Sequence, residues 1–248
     1  MPLKKKFDLS AIDGQLLDGL VFCRIVYGLF DQIRSGPGGI EKLRLRPTKN
    51  EKRLLEELIP IARYVQARYR EGRRIKVRWF GGSQPYDALL WSSGSLVTHR
   101  LAPKKSIIEV TTSVHQNDYL KRQRLHQQGV AFGVKGLSRD KKTGAILSEP
   151  YAEGAGATAA DLAARILERI KSKSAKSYWP ARVLIVNCVP DGVLFEEDWQ
   201  KALDQVAKAQ EHMAFREVFL IASPMVDAKT LFGNPKRRKM SGGSQRPR

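Results

Sequence analysis

At 248 residues the chain is long enough to bury a sizeable core without disulfides or a structural metal. It carries 44 Lys and Arg against 25 Asp and Glu, a formal net charge of +19, with 42% hydrophobic residues. That balance excludes a fully disordered chain and directs attention to a polyanionic partner. Residues 1–150 hold 28 basic and 14 acidic side chains, whereas 151–200 hold six and seven, so the excess is not spread evenly. Cys23 and Cys188 stand far apart without CxxC spacing. This excludes a disulfide scaffold or a zinc finger and fits a reducing, cytoplasmic compartment. The apolar run from Leu20 to Phe30 is interrupted by Arg24 and is too short for a membrane span. Walker A, GxSxG, HExxH and dinucleotide fingerprints are absent.

In chain order, the spacing of Leu16, Leu17, Leu20, Val21, Ile25, Leu29 and Ile33 predicts a helix over 9–34, stopped at Gly36 to Gly39. Its apolar side is read as core, with a homodimer contact as the alternative. A second helix is expected over 50–70, capped by Asn50 and kinked at Pro60. The period then changes from helical to alternating. Ile75 to Phe80, Tyr86 to Trp91 and Ser106 to Val114 read as three strands, and their short connections favour an antiparallel meander. A basic helix follows from Tyr119 to Gln128, then a glycine-rich stretch over 129–157 with a turn at Asp140 to Gly144. A helix capped by Thr158 runs to about Lys173, Arg182 to Val189 is a buried strand, Glu196 to His212 an amphipathic helix, and Val218 to Ala222 a last strand.

The fold class expected is α/β, with a mixed central sheet flanked by helices: the three-strand meander plus the later strands. Residues 1–48 form an N-terminal helical segment and 49–232 the α/β domain. Residues 233–248 are a disordered basic tail, whose run Lys236 to Lys239 reads as a nucleic-acid arm.

Two acids stand out against the meander. Glu109 lies in the middle of an Ile/Val strand, and Asp87 lies beside Ala88, Leu89 and Leu90. A carboxylate there is costly to bury unless it is paired or holds a cation. Pairing of the second and third strands brings the two acids to one point. Paired carboxylates with water are a natural site for Mg²⁺ or Mn²⁺, which polarises a phosphoryl oxygen and acidifies a bound water.

On these residues the chain resembles the PD-(D/E)xK, or restriction-endonuclease-like, nuclease superfamily. Tyr86-Asp87 stands where that family has Pro-Asp, and Glu109-Val110-Thr111 where it has (D/E)-x-K. The likeness covers roughly residues 50–190, and the stretch from Leu54 to Gly133 is similar to uncharacterised phage and prophage proteins. The resemblance implies a restriction-endonuclease-like fold and metal-dependent hydrolysis of phosphodiester bonds. It assigns metal binding to Asp87 and Glu109, with Glu57 or Glu56 from the preceding helix assisting. The family lysine is replaced by Thr111, and Lys121, early in the following helix, is the expected substitute, with His115 a weaker one.

The partner expected is nucleic acid, DNA ahead of RNA, without a membrane. Arg73, Arg74, Lys76 and Arg78 alternate on a strand taken as an edge and suit either phosphates or edge protection, and Arg122, Arg124 and His115, beside the expected metal site, suit phosphates. Trp79, Trp91 and Tyr86 are assigned to the core. Thr111 keeps a second reading open, a nucleic-acid-binding protein on the same fold that does not cut.

Overall fold

In a computed structural model, residues 8–131, 133–152, 154, 156–175, 182–191, 195–209, 214–222 and 229–232 are described. The expected tail at 233–248 and the end of the helix expected through His212 lie outside them.

A seven-stranded mixed sheet organises the chain. Its strands are β1 (Leu16–Asp18), β2 (Arg74–Trp79), β3 (Ala88–Ser93), β4 (Lys105–Ser113), β7 (Arg182–Cys188), β8 (Glu217–Ile221) and β9 (Lys229–Phe232), in that spatial order. The expected meander is present: β2, β3 and β4 pair antiparallel. β4–β7 and β7–β8 are parallel, and β9 returns antiparallel to β8. Strands β5 (Leu137–Arg139) and β6 (Ile146–Ser148) form a separate hairpin around the expected Asp140 turn, inside the stretch expected to be irregular.

The first expected helix is shortened from its N-terminal side. Leu16 to Asp18 pair with Arg78 to Lys76 as β1, and α1 (Gly19–Ser35) begins only after Asp18, whose carboxylate accepts from the Leu20 N–H. This strand makes β2 an interior strand. The reading of Arg73 to Arg78 as a sheet edge is therefore corrected. A short helix, α2 (Gly39–Leu45), follows. The second long helix starts at Thr48 rather than Asn50, because Thr48 and Glu51 form a capping box that satisfies two orphan donors reciprocally. It runs as α3 (Lys49–Arg53), a π turn (Leu54–Leu58) and α4 (Ile59–Arg68). The Ile59 N–H bonds the Leu54 carbonyl, five residues back, immediately before Pro60. Pro60 has no N–H to continue the ordinary ladder, and the wide turn is how the helix passes it.

Two cores lie on opposite faces of the sheet. On one face α1 and the long helix pack over Ile75, Val77, Trp79, Ala88, Leu90, Ile108, Val110, Val183 and Ile185. On the other, α7 (Ala157–Ser174) and α8 (Glu196–Lys208) cover Leu184, Val186, Val218 and Leu220. The strands β7 and β8, buried on both faces, carry unbroken apolar runs for that reason, Val183 to Val186 and Val218 to Ile221. The single-turn helix α5 (Ser95–Thr98) follows β3, and α6 (Asp118–Gln128) lies against α2, with the Arg44 guanidinium donating to the Leu125 carbonyl. Glu217, at the start of β8, accepts from Arg68 at 2.6 Å and from the Tyr64 hydroxyl at 3.1 Å, tying the long helix to the far half of the sheet. Among the described residues no helix is long and apolar enough to cross a membrane.

Candidate active site

The sheet register puts Asp87 and Glu109 together. Ala88 pairs with Ile108, and both face the α1 side. Strand alternation then turns Asp87 and Glu109 to the opposite face, the one covered further along by α7. Asp87 lies one residue before β3 but continues its ladder: its N–H donates to the Ile108 carbonyl and its own carbonyl accepts from Phe80. Its Oδ2 accepts from the Val110 N–H at 2.6 Å. Both acids line an open pocket of about 380 Å³, together with Gln84, Tyr86, Val110 and Lys173.

Glu109 is 4% exposed and does not lie there uncompensated. Lys173 Nζ, from the last turn of α7, donates to Oε1 at 2.8 Å, and Arg182 Nη1, from the start of β7, donates to Oε2 at 2.9 Å. Arg182 and Glu109 are each 5% exposed in their side chains, and breaking a pair so buried typically costs about 3–5 kcal/mol. Lys173 is a quarter exposed, so its charge also faces the pocket.

Glu57, on the π turn, lies on the other side of the sheet, near enough for the charge of Asp87 to act on it. The Trp79 indole N–H donates to its Oε2 at 3.2 Å. Burial, and then the negative charge of Asp87, push its carboxyl up from 4.5 to about 7. Burial also raises Asp87, against the pull of its Val110 hydrogen bond and the Lys173 charge. Burial, which disfavours the ionised form, is the main reason both carboxyls hold their protons above the ordinary range. This carries a testable consequence. The folded chain keeps the Glu57 proton until about pH 7, while the unfolded chain releases it near 4.5. The native state thus binds more protons across that window, and stability falls as pH rises through it. Glu57→Gln, which cannot ionise, should gain stability on the wild type progressively from pH 4.5 to about 7 in metal-free buffer. Paired thermal melts across that range check it, and a constant difference between the two proteins would sink it.

The remaining expected residues fall in different places. Glu56 is turned away and pairs with Arg46 at 2.7 Å, since neighbouring side chains of a helix never share a face. Thr111 lies two residues beyond Glu109 on the same face of β4, half-buried and uncharged. The Lys121 ammonium donates to the Asp191 carbonyl beyond the end of β7, so the cation at the acids is Lys173 and not Lys121. His115 Nδ1 accepts from the Asn117 N–H at the start of α6. Arg122 pairs with Asp118 at 2.9 Å, one turn earlier in the same helix. Arg124 donates to the Ile146 carbonyl of the small hairpin. Arg73 is buried, with Nε toward the Ser92 hydroxyl at 3.3 Å, and does not face solvent. Arg74 and Lys76 are exposed and Arg78 is half-buried, all three on the face that carries Asp87 and Glu109.

Lys173 and Arg182 were not among the expected residues. Arg182 did leave a signal of the same kind as Glu109: a lone charge opening a mostly apolar strand. Lys173 left none, since Lys171 and Lys173 in a final helical turn look like solvated partners of the helix dipole.

Among the described residues no three His, Cys, Asp or Glu side chains are grouped to hold a metal ion. The donor chemistry nevertheless suits a hard dication bound through few protein ligands. Asp87 and Glu109 offer carboxylate oxygens to one pocket, and Mg²⁺ commonly takes one or two carboxylates and keeps several waters. No family model, curated protein or solved structure matches the chain.

Proposed function

We propose that the chain is a divalent-metal-dependent nuclease of restriction-endonuclease-like type, hydrolysing phosphodiester bonds of DNA or RNA. The observation that carries the reading is the convergence of Asp87, Glu109 and Lys173 on one open pocket at the rim of the meander. Asp87 and Glu109 would hold Mg²⁺ or Mn²⁺, which supplies Lewis acidity toward a phosphoryl oxygen and a more acidic water. Asp87 is held in place by the Val110 N–H, and Glu109 by Arg182, so neither has to be ordered when substrate arrives. Lys173 supplies the positive charge that Thr111 lacks. Its ammonium, already at the pocket, can leave Glu109 for a phosphate oxygen, because Arg182 still compensates the carboxylate. Glu57, near enough to feel the Asp87 charge, adds a further negative charge only above about pH 7. The net charge of +19 provides the long-range attraction for a polyanion.

The purified full chain should cut single-stranded DNA, duplex DNA or RNA with Mg²⁺ or Mn²⁺, and lose that activity in EDTA. Absence of cleavage on all three with either metal would overturn the reading. One observation favours a second reading, a nucleic-acid-binding protein on the same fold that does not cut. Both Glu109 oxygens are occupied by cations, which is how a carboxylate is stabilised where no metal is used. Salt-sensitive binding without cleavage is its signature.

A further inference from the structure

The outer face of the meander carries a second arrangement beside the pocket. The register aligns Lys76 on β2, Trp91 on β3 and Lys105 on β4 in one row across the sheet. The next row toward the acids is Arg78, Leu89 and Ile107, and the row after it holds Asp87 and Glu109. Lys76 and Lys105 are exposed, and Arg78 and Trp91 are half-buried, so among the described residues this face is open where α7 and α8 do not reach. The Arg78 guanidinium and the Lys105 ammonium each lie 5.7 Å from the centre of the Trp91 ring, one from each neighbouring strand. Trp91 was expected in the core, yet it stands on a solvent-facing surface framed by four cations, Arg74 being the fourth.

We infer that this face binds an unpaired nucleic-acid strand, with Trp91 as the platform for a base and Arg74, Lys76, Arg78 and Lys105 as its phosphate contacts. The inference rests on the nuclease reading of the pocket and names its substrate class: single-stranded nucleic acid, or the frayed end of a duplex. The physical reason is geometric. A base can stack on an indole only if it has left its own pair, whereas Lys and Arg alone serve a duplex backbone equally well. Charge complementarity selects the occupant, since an aromatic ring flanked by cations from both sides matches a base between two phosphates. When a base takes the ring, the displaced Arg78 or Lys105 is left beside the adjoining phosphate. Trp91 is four residues along β3 from Asp87, roughly 13 Å at strand spacing, so a strand seated there leads directly into the pocket.

The test is equilibrium binding by the full chain carrying Asp87→Asn, so that cleavage does not intrude. The probes are labelled oligo-dT, oligo-U and a blunt duplex of equal length. Trp91→Ala added to that chain should weaken single-strand binding about tenfold and leave duplex binding nearly unchanged, while Trp91→Phe should retain most of it. Loss in the dT arm alone identifies DNA, in the U arm alone RNA, and in both a strand recognised without regard to its sugar. Unchanged single-strand binding in Trp91→Ala, or an equal loss for strand and duplex, overturns the inference, and so does failure of Trp91→Phe to rescue binding. The two readings fail separately. A wild type that binds strands through Trp91 and cuts nothing removes the nuclease but keeps this face, and a wild type that cuts while Trp91 is indifferent does the reverse.

Discussion

Asp87→Asn should lower metal-dependent cleavage on the order of 10³-fold or more while leaving the fold and nucleic-acid binding in place. The magnitude follows from the several kcal/mol that a bound dication contributes at a developing phosphoryl charge, at one tenfold per about 1.4 kcal/mol. The substitution is chosen for what it preserves. Asp87 Oδ2 accepts from the Val110 N–H at 2.6 Å, and an amide oxygen in the same place accepts as well. Burial already disfavours the ionised form of Asp87, so losing the charge does not cost stability. Thermal melts should therefore match or exceed the wild type above pH 7, where Glu57 is also ionised. Steady-state cleavage, isothermal titration with Mn²⁺ and strand binding, measured on one preparation, separate the cases. Loss of cleavage and of Mn²⁺ binding with retained strand binding supports a metal held at Asp87. Retained cleavage would remove Asp87 from the machinery and with it the proposal.

The second large effect belongs to Lys173. Lys173→Ala should reduce cleavage about 10²-fold, the usual loss when one preorganised donor to a developing oxyanion is removed. Lys121→Ala should leave cleavage near the wild-type level, because the Lys121 ammonium is engaged by the Asp191 carbonyl away from the acids. The fold survives Lys173→Ala because Arg182 still pairs with the other oxygen of Glu109, and that pair is the more buried of the two. Lys173→Arg, which keeps the charge with a different shape, should recover part of the activity. Single-turnover rates on saturating substrate isolate the chemical step from binding. If Lys121→Ala is the damaging change and Lys173→Ala is silent, the cation assigned to the pocket is wrong.

The meander and its two acids were legible in the sequence because both depend on local rules. Alternation within Ile75 to Phe80, Tyr86 to Trp91 and Ser106 to Val114 sets which side chains share a face, and the short connections set which strands are neighbours. Asp87 and Glu109 then have to meet, because Ala88 and Ile108, each one residue away, pair with each other. Glu57 was legible only as one of two adjacent glutamates. The choice between them was made by the partners that tertiary packing supplies, the Trp79 indole for Glu57 and Arg46 for Glu56, which hydrophobic spacing does not reveal.

By itself the sequence determined a basic α/β chain, a three-strand meander and a pair of awkward carboxylates, since these follow from composition and from contacts between near neighbours. Tertiary structure decided what those carboxylates meet. β4 and β7 are parallel, so the chain must cross back over the sheet between them, and α7 is the last helix of that return. Its C-terminal turn therefore arrives beside the start of β7, delivering Lys173 and Arg182 to Glu109 from 64 and 73 residues away. Long-range pairing likewise placed β1 against β2, which turned an expected edge into the sheet interior, while strand alternation left Arg74, Lys76 and Arg78 on the open face. Contacts between residues so distant in the chain carry no local periodicity, and only the closed sheet brings them together.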